Sequence, residues 1–184
     1  MLAAPSEELR VRYAGALAES PTVATLRDLP VGGETRQTLR YMRSLVLAAL
    51  ADPQQQVREL ALSITAGVPE RDWSGNVAAL QAYVRDNIKF QRDPEQFELV
   101  QTPAKTIEYA AGDCDDKSTL LAALLASLGH PVQFIAVGFN GEPMSHVLVR
   151  TKIGDLWTPA ETILPGVPVG WWPSGVTSHY ILKI

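Results

Sequence analysis

Three observations predict an α+β domain. Apolar residues recur at helical spacing through the first part of the chain, one long apolar arc between Cys114 and Leu128 marks a buried central helix, and strand-like runs joined by hairpin-turn dipeptides follow it. Helices first and an antiparallel sheet afterwards is the α+β order. Leu9, Val11, Tyr13, Ala16 and Leu17 give an imperfect helical stripe over Glu7–Glu19, which Pro21 ends. Leu26 to Val31 reads as a short strand. Over Thr35–Leu50, after the Gly32-Gly33 breaker, Leu39, Met42, Leu45, Val46, Ala49 and Leu50 share one face of a helix. Asp52-Pro53 starts the next helix, whose inward residues are Val57, Leu60, Ala61 and Ile64, and Gly67 and Pro69 close it. After Asp72-Trp73-Ser74 a third amphipathic helix turns Val77, Leu80, Tyr83, Val84 and Ile88 inward and runs to about Phe90. Gln91 to Pro103 reads as a loop with an Arg92-Asp93-Pro94 turn, and Thr106 to Ala111 as one helical turn. Gly129 stops the central helix. Strands follow at Val132–Phe139, His146–Ile153 and Leu156–Glu161, with Asn140-Gly141 and Gly154-Asp155 between them, and His179–Ile184 offers a last strand.

The chain has 184 residues, 46% hydrophobic and 20% charged, which suits one globular domain. A net charge of -4 without clustered Lys and Arg argues against nucleic acid as a partner. The apolar stretch Leu120–Leu128 is far shorter than the ~20 residues of a bilayer crossing, so no membrane partner is expected. Met1 to Glu8 lacks the basic start and apolar run of a secretory signal.

One cysteine and three dispersed histidines supply neither a disulfide nor the ligand spacing of structural zinc, so no metal and no cofactor are expected. Cys114 stands where the central helix begins, the position at which unpaired amides and the dipole favour a thiolate. Asp113, Asp115 and Asp116 beside it raise a thiol pKa, so an imidazolium partner is needed. His130, between Gly129 and Pro131, belongs to the turn at the other end of that helix, and His179 reads as a surface residue. His146 opens a strand that pairs with the one leaving the central helix, from which it can reach Cys114. Asp113 reads as the helix N-cap, with Asp116 in the first turn.

The segments Gly112-Asp113-Cys114-Asp115-Asp116-Lys117-Ser118, Gly129-His130-Pro131, Ser145-His146-Val147 and Trp157-Thr158-Pro159-Ala160-Glu161, in this order and spacing, resemble the transglutaminase-like superfamily. They are most similar to its small bacteriophage and prophage members. The resemblance covers Arg71 to Pro173, and more loosely Leu29 to Met42. It implies a papain-like core over residues 71–184, its Cys-bearing helix packed on an antiparallel sheet, with residues 1–70 as a helical extension of one compact unit. It also implies a triad of Cys114 as nucleophile, His146 as base and Glu161 as orienting acid. The family's usual acid is Asp. The extra methylene of Glu161 shifts the geometry, and Asp155 in the Gly154-Asp155 turn is the alternative acid. Gln101 resembles a position common in the phage-type members and is a candidate for oxyanion or substrate contact, with an ordinary loop amide as the other reading.

The expected function is cysteine-dependent acyl transfer on an amide or peptide bond, with hydrolysis favoured over transfer to an amine. The expected partner is a peptide or protein amide substrate in bacterial cytoplasm or a virion. The alternative is a catalytically weak or inactive assembly component of a phage particle, in which the fold binds phage structural proteins.

Overall fold

The computed structural model describes residues 23–25, 34–93 and 99–184. The helix expected at Glu7–Glu19 and the strand expected at Leu26–Val31 lie outside them. The described elements are β1 (Val23–Thr25), α1 (Glu34–Leu50), α2 (Gln56–Thr65), α3 (Trp73–Asn87), β2 (Lys89–Phe90), β3 (Leu99–Gln101), α4 (Pro103–Tyr109), β4 (Ala111–Gly112), α5 (Cys114–Ser127), β5 (Val132–Phe139), β6 (Met144–Ile153), β7 (Leu156–Ala160) and β8 (Val176–Lys183).

Helix α5 is the axis of the domain because it is apolar almost all round. Leu120, Leu121, Ala122, Ala123, Leu124 and Leu125 are all fully buried. A helix without a polar face must be covered on every side. Accordingly α1, α2, α3 and α4 pack on it, and β5 and β6 close the remaining side. Leu39, Met42 and Val46 of α1 and Val57 and Leu60 of α2 share one core with Leu80 and Val84 of α3. The expected N-terminal extension therefore contributes two helices to the same core as the rest. No helix among the described residues is long and apolar enough to cross a membrane.

The main sheet is antiparallel in the order β7-β6-β5-β8. Val147 and Val149 of β6 face the helices, while Leu148 joins Ile135 and Val137 in a small cluster on the other face. Two small ladders flank the start of α5: antiparallel β1–β3 and parallel β2–β4, the latter pairing Phe90 with Gly112. These short strands replace two expected features, since Lys89–Phe90 was assigned to the third helix and Leu99–Gln101 to a loop. Helix α4 also begins earlier than expected, because Thr102 caps it through Lys105 N–H and Pro103 occupies the first turn.

Leu124→Ala should lower the unfolding free energy by about 2–5 kcal/mol in chemical denaturation, since α5 is locked on all sides and its neighbours cannot collapse into the void. A loss under about 1 kcal/mol would mean that the core relaxes around α5.

Candidate active site

Cys114 is the first residue of α5, held there by interlocking caps. The Asp113 carboxylate accepts the N–H groups of Asp115 at 3.0 Å and Asp116 at 3.4 Å, and the Asp116 carboxylate accepts the Asp113 N–H at 3.2 Å. This is a capping box built from two aspartates. Asp116 also accepts the Gln101 N–H at 2.7 Å and the Gln101 side-chain amide at 2.6 Å, which ties the helix start to β3. Gly112 is required by this closure, for a Cβ there would lie 2.5 Å from the Asp116 Cβ.

These contacts show what Gln101 does in the loop before α5. Its amide hydrogens go to Asp116 and to Ala111 O, so the residue organises the loop before Cys114.

His146 lies in β6, two residues before Leu148. By strand alternation it lies on the face of Leu148. Cys114 contacts Val147, the residue after His146, at an open edge of β6. The β6–β7 ladder ends at Val149 and Ala160, which leaves the outer edge of β6 free at Val147. The Val147 N–H lies against the Cys114 sulfur, and Val147 O accepts from Ser118 Oγ at 3.2 Å. In an antiparallel strand the N–H and C=O of one residue point to the same side. The first turn of α5 therefore occupies the place β7 would take if it were longer, with the sulfur one residue along the strand from His146. A register shift between Val137 and Gly138, paired to His146 and Met144, leaves Ser145 unpaired just before the histidine. Such a bulge re-aims the following side chain.

Glu161 directly follows β7. One carboxylate oxygen lies 2.7 Å from His146 Nε2, and the other accepts the Ile163 N–H at 2.6 Å. Its backbone carbonyl accepts from Gln81 of α3 at 2.9 Å. With Nε2 directed at the carboxylate, Nδ1 is the nitrogen left to act as a base. Asp155 is exposed in the β6–β7 turn, at the other end of the hairpin from His146. His130 is buried against Trp73, ring centroids 5.2 Å apart, and His179 is exposed on β8.

The charges around the sulfur favour its protonated form. Burial pushes the Cys114 thiol up, Asp115 and Asp113 push the same way, and the Val147 N–H opposes them. The thiol donates to an Asp115 carboxylate oxygen at 3.5 Å. Burial, then the charges of Asp116 and Asp93, raise Asp113 to about 7, and burial raises Asp116 to about 6. Burial also works against ionisation of Glu161. The hydrogen bond and charge of His146, with the Ile163 and Thr162 N–H groups, outweigh it and hold the carboxyl below its ordinary value. Asp113, Cys114 and Asp115 bring ligand-type atoms within 4.8 Å of one another, but two of those groups already serve the cap and the thiol, and the set carries no metal assignment.

Sequence reasoning missed Lys117. Its side chain is fully buried and donates from Nζ to Ile88 O at 2.7 Å and Arg85 O at 3.3 Å. It also missed Gln81. The available signal was spacing: Lys117 stands one turn after Cys114, in register with residues that must face the core.

With this geometry in place, the comparisons with known proteins identify the class. The model of the transglutaminase-like superfamily matches residues 58–162, more than half of the chain. The chain belongs to that superfamily. Among solved structures, a candidate protease from Parabacteroides distasonis matches with TM-score 0.56 and 13% identity, over 71% of this chain and 26% of its own. A candidate cysteine protease from Cytophaga hutchinsonii matches with TM-score 0.49 and 20% identity, over 88% of this chain and 62% of its own. The chain thus spans about a quarter of the first and under two thirds of the second. No curated protein matches the sequence.

Asp113 gives a signed prediction. Its folded pKa of about 7 exceeds its ordinary 3.8, so the folded state binds more protons in that interval. The stability this contributes is fully present below the unfolded value and is lost as pH rises through the folded one. Asn keeps the capping oxygen without the charge. Asp113→Asn should therefore exceed the native chain in stability above about pH 7, by on the order of 1 kcal/mol, and lose that advantage near pH 4. Denaturation at both pH values checks it, and an advantage of equal size at both would overturn the assignment.

Proposed function

We propose that the chain is a cysteine-dependent acyl-transfer enzyme acting on amide or peptide bonds, with Cys114 as nucleophile, His146 as base and Glu161 as orienting acid. The observation that carries this reading is the open edge of β6, where the Cys114 sulfur rests on the Val147 N–H beside a histidine whose Nε2 is 2.7 Å from a buried carboxylate. Glu161 holds the imidazole in the tautomer that leaves Nδ1 unprotonated. His146 Nδ1 takes the thiol proton as sulfur attacks the carbonyl carbon. The Cys114 N–H, at the first position of α5 where no helical carbonyl is available, is one donor for the developing oxyanion. As the C–N bond breaks, His146 returns the proton to the departing amine. Water, or a second amine, then releases the acyl group. Hydrolysis is the favoured outcome, and a peptide or protein amide is the substrate class.

The resting chemistry differs from a preformed thiolate–imidazolium pair. The thiol is held protonated by burial and by Asp115. Ionisation therefore accompanies attack, when His146 accepts the proton. That same burial favours a second reading, in which the fold serves as an interaction module without turnover.

Iodoacetamide separates the two readings. Under the enzyme reading it should alkylate Cys114 at a rate that falls about tenfold or more in His146→Ala, and by a smaller factor in Glu161→Gln. Slow labelling with equal rates in all three proteins would leave the interaction module.

A further inference from the structure

The β6–β7 hairpin carries two cations on one indole. Trp157 stands opposite Lys152, and Pro159 opposite Arg150. The Arg150 guanidinium carbon lies 5.3 Å from the centre of the Trp157 ring, and Lys152 Nζ lies 5.9 Å from the same centre. Arg150 donates its Nε hydrogen to Gln133 Oε1 at 2.7 Å, which leaves the outer fork of the guanidinium. Gln133 stands between Arg150 and Lys183 of β8, so a third cation shares the row. Among the described residues none of the three forms an ion pair, although Asp155 is in the neighbouring turn. Cross-strand packing and the attraction of each cation for the ring explain the separate pairs. They leave two like charges beside each other, a repulsion that an anion between them would relieve.

The backbone beside these side chains is also unmet. β7 is the last strand on its side of the sheet. Pro159 has no N–H, and its carbonyl accepts the Gly170 N–H at 2.8 Å. The main chain of Pro159 therefore faces away from β6, and that of Trp157, two residues earlier, faces the same way. At Pro159 the backbone of Gly170 covers this edge. At Trp157 no described residue pairs with it, and Leu156 alongside is 74% exposed. A strand edge with a free N–H and C=O takes an extended peptide as an added strand.

We propose that this edge docks an extended acidic segment of a partner protein: the segment pairs with the main chain of Trp157, and its carboxylates meet Arg150 and Lys152 across the indole. The two surfaces match in period. Arg150 and Lys152 are two residues apart on one strand, about 7 Å, and side chains on one face of an extended peptide recur at the same interval. A nucleic acid would supply charge but no peptide N–H and C=O for the strand edge. A small free anion would meet the cations and leave the edge unpaired. The inference stands apart from the triad, since His146 is six residues from Lys152, about 20 Å along β6.

The probe is a fluorescein-labelled decapeptide of alternating Glu and Val, compared with the matching Gln and Val peptide and with an oligothymidylate of equal length. Binding to the full chain is read by fluorescence anisotropy, and pairing at the edge by hydrogen exchange of the Trp157 amide. The acidic peptide should bind, and changing Arg150→Gln together with Lys152→Gln should weaken it about tenfold. At saturation the Trp157 amide should exchange more slowly. No binding, equal affinity for the Gln peptide, or an affinity unchanged in the double variant overturns the proposal. Oligothymidylate binding as tightly as the peptide also overturns it and leaves a general polyanion surface, and unaltered Trp157 exchange in the complex overturns the added strand. Should the double variant fail to fold, Lys152→Gln alone and added salt on the native chain carry the test: both should weaken binding, and an affinity indifferent to both sinks the idea.

Discussion

The seating of the first turn of α5 on the exposed edge of β6 at Val147 is the contact on which the site depends. Cys114 and Ser118 together satisfy a strand residue whose N–H and C=O would otherwise point into an apolar interior. That requirement fixes the sulfur along the strand, and the bulge at Ser145 then presents the neighbouring histidine. Neither a longer β7 nor a regular β6 would give this arrangement.

Around that contact the structure concentrates polar groups in a place where burial is expensive. Three aspartates, a lysine, a glutamate and the thiol lie within or beside the first turn of α5, and burial is the largest cause of the shifts of Asp113, Asp116, Cys114 and Lys117, while at Glu161 it is outweighed by His146 and backbone N–H groups. Asp113 and Asp116 accept backbone N–H groups, Asp115 accepts the Cys114 thiol, Glu161 is held by His146 and Ile163, and Lys117 by carbonyls of α3. A carboxylate forced up to about 7 is a liability to folding at neutral pH. Such groups gather at functional sites more often than elsewhere.

Much of this was readable from residues, for identifiable reasons. The α+β order followed from where helical spacing gives way to strands and hairpin turns, and α5 from an apolar arc too wide for a half-exposed helix. Asp113 was legible as a cap because a short carboxylate just before a helix has one obvious use. The two-residue turn at Gly154-Asp155 was legible as the joint of β6 and β7, whereas Glu161 as the partner of His146 came from the family resemblance. What stayed hidden depends on distant chain. A two-residue strand such as Lys89–Phe90 has no periodicity of its own and exists because Gly112 pairs with it. Lys117 drew no assignment, since its partners, Arg85 O and Ile88 O, are about thirty residues away and carry no side-chain signature. The edge-on approach of the cysteine was equally hidden, because alternation tells which face a residue occupies but not where a neighbouring strand stops.

The length of β7 has a consequence for how such a fold can change. Its pairing ends at Ala160, and the first turn of α5 lies against the edge beyond. Two more ladder residues would zip over Val147 and evict the sulfur, while the sheet itself gained hydrogen bonds and kept its core. On the proposed reading, reactivity in this architecture comes from leaving a sheet unfinished, and the shortest route to an inert descendant is not the loss of a reactive atom but the completion of a strand.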